Sequence, residues 1–274
     1  MTSFLSSLRK IPPAVVYLAI PIVGTAAFSW PFWIDTKGNA GHSADAWIWA
    51  ALVSALAVGA VALELKRASM TAAGIAILGV LASMTGLLRI VDLPGGGSGM
   101  FFLLILAAAA LGPRCGVLLA FAAMAAGGVI TGGVGPWLPF QMLALAVVGA
   151  FAGLLGNLTS HLRPRAETMV LGFYGFIAAF AYGLVINLWD WPLRESSGSD
   201  IAFNSSLGFA DTVGTYWRFY TATSLAWDGA GAIANSIIIV SVGTPVLLAL
   251  RRVQHRISPS VYFVETTADA TVTP

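Results

Sequence analysis

Long apolar runs recur along this sequence and restrict what it can fold into. A bilayer core about 30 Å thick is crossed by about 20 apolar residues in a helix. Because 58% of the residues are hydrophobic and only 9% are charged, we expect most of the chain to be embedded in a lipid bilayer. We therefore predict an all-α, polytopic membrane protein. The clearest runs are 13–33, 46–65, 69–90, 138–158, 167–190 and 225–250.

The apolar stretch from residue 98 to residue 131 is longer than one span and contains a break. The break is Gly112-Pro113-Arg114. Proline removes a backbone donor and arginine is costly at mid-membrane, so we expect two short helices here. Together with the other runs, this predicts about eight transmembrane helices. Residues 191–224 are more polar and are expected to form a long outer loop.

The distribution of positive charge predicts the orientation. With the amino terminus in the cytoplasm, the inner helix ends carry ten of the 14 Lys and Arg residues, which satisfies the positive-inside rule. Most tryptophans then fall at the outer ends, as expected for an interfacial belt. Both termini are therefore predicted to be cytoplasmic. The ten inner residues are Arg9, Lys10, Lys66, Arg67, Arg114, Arg163, Arg165, Arg251, Arg252 and Arg256.

The sequence lacks the signatures of several classes of function. A net charge of +2 and the lack of a Lys/Arg-rich run outside the helix flanks argue against nucleic-acid binding. The sequence contains no metal-ligand spacing and no GxxxxGK[ST] phosphate loop. Ser98 lies in a GxSG pattern typical of intramembrane serine proteases, but no histidine is placed to act as its base. We therefore expect no catalytic residue, no metal, no cofactor and no ATP hydrolysis by this chain alone.

Aromatic and polar side chains accumulate at the predicted outer ends of the carboxyl-terminal helices. Polar groups at membrane depth are costly and usually face a cavity or a partner. This composition fits capture of a planar or partly apolar small molecule from outside. Alternatively, the aromatics form the interfacial belt, Asn235 bonds between helices and Asp228 caps the last helix. The predicted substrate-binding residues are Trp137, Gln141, Asn187, Trp189, Asp190, Tyr216, Trp217, Tyr220, Trp227, Asp228 and Asn235.

Small residues recur at a spacing of four at the cytoplasmic end of one predicted helix. They are Ala68, Ala72 and Ala76. Such a ridge lets helices approach closely. It fits either packing within the protein or docking of another membrane subunit.

A glycine- and proline-rich string predicts a tight outer loop that leads into a helix at Pro139. It reads Thr131-Gly-Gly-Val-Gly-Pro-Trp-Leu-Pro-Phe-Gln-Met142. The glycines fit either a close backbone approach to a ligand or a turn that needs no ligand. Other strings of interest are Phe101-Phe-Leu-Leu-Ile-Leu106, Leu111-Gly-Pro113, Val148-Gly-Ala-Phe-Ala-Gly153, Asn187-Leu-Trp-Asp-Trp-Pro192, Tyr216-Trp-Arg-Phe-Tyr220 and Thr223-Ser-Leu-Ala-Trp-Asp228.

With these strings, the chain resembles the substrate-binding S-component of energy-coupling factor (ECF) vitamin transporters. The likeness is greatest to an actinobacterial-type group that has two extra amino-terminal helices. It implies a two-helix extension at 1–67, a six-helix substrate-binding membrane core at 68–256 and a disordered cytoplasmic tail at 257–274. Ala68, Ala72 and Ala76 match the docking face of the family.

The resemblance also implies the function and the partners. The chain would be the substrate-binding subunit of an ATP-dependent importer in the bacterial cytoplasmic membrane. It would work with a transmembrane coupling subunit and a pair of ABC-type ATPases. The expected ligand is a vitamin or a vitamin precursor, with a cobalamin-related compound favoured and a thiamine or pyridoxine precursor open.

Two other functions stay open on the residues alone. A membrane enzyme acting on a lipid or isoprenoid would use Asp190, Asp211 and Asp228 as acid, base or metal ligands, although the sequence lacks a DxxD spacing. A structural or sensory membrane subunit would be unaffected by replacement of Gln141.

Overall fold

The computed structural model describes residues 22, 24–29, 32, 44–66, 72–91, 93, 97–194 and 199–257. The regular structure in these ranges is helical, with no β-sheet, and this confirms the all-α prediction. Most of the predicted span 13–33, the alanine at position 68 and nearly all of the predicted tail 257–274 lie outside the described residues.

Eight helices follow one another in the described chain, and a short helical stretch at 24–29 precedes them. They are α1 (Ala44–Lys66), α2 (Ala72–Leu87), α3 (Met100–Leu111), α4 (Pro113–Thr131), α5 (Leu138–Thr159), α6 (Pro164–Asp190), α7 (Phe209–Thr223) and α8 (Leu225–Ile257). A 3-10 turn at Trp191–Leu193 continues α6.

Four stretches are long and apolar enough to cross a membrane: Pro113–Thr131, Leu138–Thr159, Pro164–Leu193 and Leu225–Arg256. Three apolar helices are shorter: Trp47–Gly59, Ala72–Leu87 and Met100–Leu111. The predicted break between α3 and α4 is confirmed. Gly112 has a φ of +94° there, and its N–H donates to the Ala108 carbonyl, which ends α3 before Pro113 begins α4.

Helix α7 lies in the stretch that the sequence predicts as a loop. Its buried side carries Thr215, Phe219 and Tyr220. Its exposed residues include polar ones and also large apolar ones such as Phe209. A search for long apolar runs overlooks such a helix, because polar residues interrupt its apolar ones at every turn. We use "the α7 end" for the end of the bundle where α6 ends and α8 begins.

Helix α5 packs backbone to backbone against α3 and α4. A Cβ atom at Gly149 would lie 2.5 Å from the Gly116 carbonyl oxygen of α4. A Cβ at Gly156 would overlap the backbone of Ala109 in α3. Small residues allow this close approach, which is a main source of helix association in lipid. The glycines of α5 therefore set the position of this helix in the bundle.

A buried ion pair joins α6 and α8 at the end of the bundle opposite α7. The Glu167 carboxylate is fully buried and accepts a hydrogen bond from Arg251 at 2.6 Å. The hydroxyl of Thr159 donates to the same oxygen at 3.2 Å. This pair fixes the start of α6 against the last turns of α8.

We expect Gly149→Ala to lower the free energy of unfolding by about 1–3 kcal/mol, because the added methyl group overpacks the contact with α4. Thermal unfolding in detergent, followed by tryptophan fluorescence, measures the effect. Gly79→Ala is the matched control, because a Cβ there meets no described atom within 4 Å. Equal melting temperatures for the two variants would contradict the assigned packing.

Candidate functional site

An aromatic cluster attaches α7 to the end of α6. Trp191 is fully buried at its centre, with ring centroids 5.2 Å from Phe203, 5.4 Å from Tyr216 and 6.0 Å from Phe219. The Tyr216 hydroxyl donates to the Leu184 carbonyl at 2.6 Å. The predicted site residue Tyr216 is therefore part of the packing that holds α7.

Tyr220 and Asp228 connect α7 to α8. The buried Tyr220 hydroxyl donates to Asp228 Oδ2 at 2.8 Å. Burial, followed by this hydrogen bond, raises the pKa of Tyr220 above its ordinary value, so the hydroxyl stays protonated and acts as the donor. The Asp228 carboxylate packs directly against Gly183 of α6, where any side chain would collide with it.

Asn187 ties α6 to the junction between α7 and α8. Its Oδ1 accepts a hydrogen bond from the Ser224 hydroxyl at 2.9 Å, and its Nδ2 donates to the Gly183 carbonyl at 2.8 Å. The structure thus brings the predicted site residues Asn187, Tyr220 and Asp228 together around Gly183.

Trp189 is buried and has an unused polar group. Its indole stacks on Phe140 at the start of α5, with the ring centroids 4.3 Å apart. Its Nε1–H has no acceptor among the described residues. Buried indole N–H groups usually find a partner, so this unpaired group is an exception.

The remaining predicted aromatics and Asp190 lie nearer the surface. Trp137, Trp217 and Trp227 are exposed, and the Trp137 Nε1–H donates to the Gly133 carbonyl at 3.3 Å. Asp190 forms an ion pair with Arg194 one turn further along the chain. Trp137 and Trp227 lie at helix ends, where exposed indoles are typical of an interfacial belt.

Asn235 is buried and fully engaged in holding α8 to the start of α3. Its Oδ1 accepts from the Phe102 backbone N–H at 3.1 Å. Its Nδ2 donates to the carbonyls of Ser98 at 3.1 Å and Gly231 at 2.9 Å. This is the interhelical role that the sequence offered as the alternative to ligand binding.

Two polar residues that the sequence analysis did not select lie beside the predicted ones. Arg89 follows α2, and its Nη2 donates to Gln141 Oε1 at 3.1 Å. The hydroxyl of Tyr182, in α6, interacts electrostatically with both Arg89 and Asp228. We use "interior polar group" for Arg89, Gln141, Tyr182, Tyr220 and Asp228. The sequence signal that could have identified Arg89 is its position as a charged residue at the end of an otherwise apolar run.

The described part of the chain contains an open groove and an apolar groove, and none of the eleven predicted binding residues lines either of them. An open groove of about 810 Å³ is lined mainly by charged and polar residues of α7 and the preceding loop, including Asp200, Asp211 and Arg218. An apolar groove of about 410 Å³ lies between residues 24–29, α5 and α6. Its lining includes Ala144, Val148 and Tyr182.

The three aspartates of the enzyme hypothesis occupy separate environments. Asp190 is paired with Arg194, Asp228 bonds to Tyr220 and Asp211 lines the open groove. In the described part of the chain, no group of three or more His, Cys, Asp or Glu residues is placed to hold a metal ion.

We expect Asn235→Ala to lower the free energy of unfolding by about 2–4 kcal/mol. The variant loses three hydrogen bonds and leaves the Phe102 N–H without its acceptor. Thermal unfolding measures the change, with Asn157→Ala as the control on an exposed position of α5. An unchanged melting temperature combined with loss of ligand binding would instead assign Asn235 to the ligand.

Comparison of the chain with protein-family models, with curated proteins and with solved structures finds no match.

Proposed function

We propose that this chain is the substrate-binding membrane subunit of an ATP-dependent importer of the ECF type. The observation that carries the proposal is the interior polar group. Arg89 and Asp228 are opposite charges within an apolar helical bundle, and each is bonded to a neutral partner instead of to the other. Charged groups at membrane depth usually belong to a ligand or ion site.

Unused hydrogen-bonding capacity at the α7 end supports ligand capture there. The Trp189 N–H has no acceptor in the described structure, and its ring stacks on Phe140. Aromatic walls with a few polar groups are the usual lining of a small-molecule site. In the proposed function, Gln141, Trp189 and Asp228 contact the ligand, whereas Asn235 and Tyr216 support the helices around it.

The charge distribution of the sequence supports an orientation for this site. In the proposal, the chain crosses the bacterial cytoplasmic membrane about eight times with both termini in the cytoplasm. The α7 end then faces outside, and the buried pair of Glu167 and Arg251 lies at the inner end. Capture from outside and coupling to partners inside are thereby separated along the bundle.

An exposed face of α2 supports docking of a coupling subunit. Ala72 and Ala76 are exposed, and a Cβ at Gly79 would meet no described atom within 4 Å. Small side chains on an exposed helix face allow close approach of another helix. The proposed partners are a transmembrane coupling subunit, which would use this face, and a pair of ABC-type ATPases.

The proposed ligand is a vitamin or a vitamin precursor, and a cobalamin-related compound is the first candidate to test. Mass spectrometry after mild detergent extraction identifies a molecule that copurifies with the chain. Cyanocobalamin, thiamine and pyridoxine then serve as binding probes. For the probe that binds, we expect uptake into liposomes only when the coupling subunit and the ATPases are added. ATP-driven uptake by the chain alone would refute the proposal.

We expect Asp228→Asn to weaken binding of that probe by about tenfold or more, because it removes the charge of an acceptor. Equilibrium binding to the purified chain measures the effect. Asp211→Asn is the matched control, since Asp211 is an exposed acid on α7 outside the interior polar group. Equal loss in both variants, or full binding by Gln141→Ala, would contradict the assigned site.

A further inference from the structure

Arg89 is a partly buried cation, and no acid among the described residues forms an ion pair with it. A guanidinium group has five N–H donors. Here Nη2 donates to Gln141, and Nη1 contacts the sulfur of Met124, which is a weak acceptor. No carboxylate in the described chain lies within ion-pair distance of it. Three donors and a full positive charge are left for another group.

Gly127 makes room for the Arg89 side chain. A Cβ at Gly127 would lie 3.0 Å from Arg89 Cδ, which is tighter than an ordinary contact. A Cβ at Gly133 would lie 3.5 Å from Nη2, which is an ordinary van der Waals distance. The glycine-rich string that begins at Thr131 therefore passes close to the guanidinium.

Two residues that line the apolar groove share a face of α5 with Gln141, which is bonded to Arg89. Gln141, Ala144 and Val148 have the spacing i, i+3 and i+7, which places them on one helix face. Ala144 and Val148 line the groove, and Gln141 bonds to Arg89. Tyr182 lines the groove from α6 and interacts electrostatically with Arg89. Tyr182 thus connects the groove to the surroundings of Arg89.

We propose that Arg89 binds the anionic group of an amphiphilic ligand, a carboxylate or a phosphate, whose apolar part lies in the groove of about 410 Å³. The inference rests on the proposed function and narrows its ligand to small vitamins or precursors that carry a carboxylate or a phosphate, which points away from cyanocobalamin, thiamine and pyridoxine. A planar guanidinium bonds to two oxygens of such an anion at once. Gln141, which contacts the ligand in the proposed function, also holds Nη2 in place.

Three probes with the same ring test the charge preference: benzoate, benzamide and benzamidine, which are anionic, neutral and cationic. Each is titrated into the full chain in phosphatidylcholine nanodiscs by calorimetry. We expect benzoate to bind most tightly. Arg89→Gln should weaken benzoate binding by about ten- to a hundredfold, to the level of benzamide. Arg89→Lys should retain part of the preference, because it keeps a point charge.

Two further variants keep the test decisive. Arg252→Gln is the matched control, since Arg252 is an exposed cation at the opposite end of α8, and it should leave all three affinities unchanged. Gln141→Glu supplies Arg89 with an anion from the protein and should remove the preference for benzoate even if Arg89→Gln does not fold. Equal binding of the three probes by the wild-type chain, or a benzoate preference that survives Gln141→Glu, would overturn the inference.

A second arm separates a water-soluble anion from a lipid headgroup. In nanodiscs containing phosphatidylglycerol, a lipid-binding site would compete with benzoate and would retain the lipid in native mass spectrometry, in an Arg89-dependent manner. Unchanged benzoate affinity would assign the site to a soluble anion. The assay uses neither partner subunits nor ATP, so its result is independent of whether the chain supports uptake.

Discussion

Close contact between helix backbones at the glycines of α5 is the constraint on which the rest of this bundle depends. Gly149 and Gly156 let α5 approach α4 and α3 until backbone touches backbone. In lipid, such packing replaces much of the hydrophobic driving force that water supplies to soluble proteins. Once α5 is placed, its first turn carries Phe140 under Trp189 and Gln141 against Arg89. The polar groups of the α7 end are therefore positioned by small residues deeper in the bundle.

Charged side chains have different partners at the two ends of the bundle. At one end, Glu167 and Arg251 neutralise each other, and Thr159 adds a hydrogen bond. At the other, Arg89 and Asp228 each have a neutral partner. Removing one member of a buried ion pair leaves a charge without compensation, so the first arrangement stabilises the fold. The second leaves charge that a bound molecule can compensate, which is why it is the better candidate site.

The sequence predicts the features that depend on local composition. It does not predict the features that depend on contacts between distant residues. The all-helical class and the break at Gly112 follow from apolar runs and from proline chemistry, and both are confirmed. Helix α7 was not predicted, because its helical signal lies in the spacing of Phe219 and its buried neighbours, not in a continuous apolar run. The pairing of Arg89 with Gln141 joins residues 52 positions apart, and no local pattern indicates it. For Asn235, the sequence predicts a polar residue inside the membrane but does not say whether it binds a ligand or another helix. The hydrogen bonds of the structure favour contact between helices.

The hydrogen bond between Tyr220 and Asp228 links the site to the position of α7. Asp228 Oδ2 accepts from a tyrosine that belongs to α7, and the rest of α7 is held to α6 mainly through Trp191 and Tyr216. An ionised carboxylate has about four acceptor sites on its two oxygens, so a ligand donor can bond to Asp228 without displacing the Tyr220 hydroxyl. The aromatic contacts of Trp191 do not involve Asp228. Both attachments of α7 would therefore persist when a ligand binds in the proposed site.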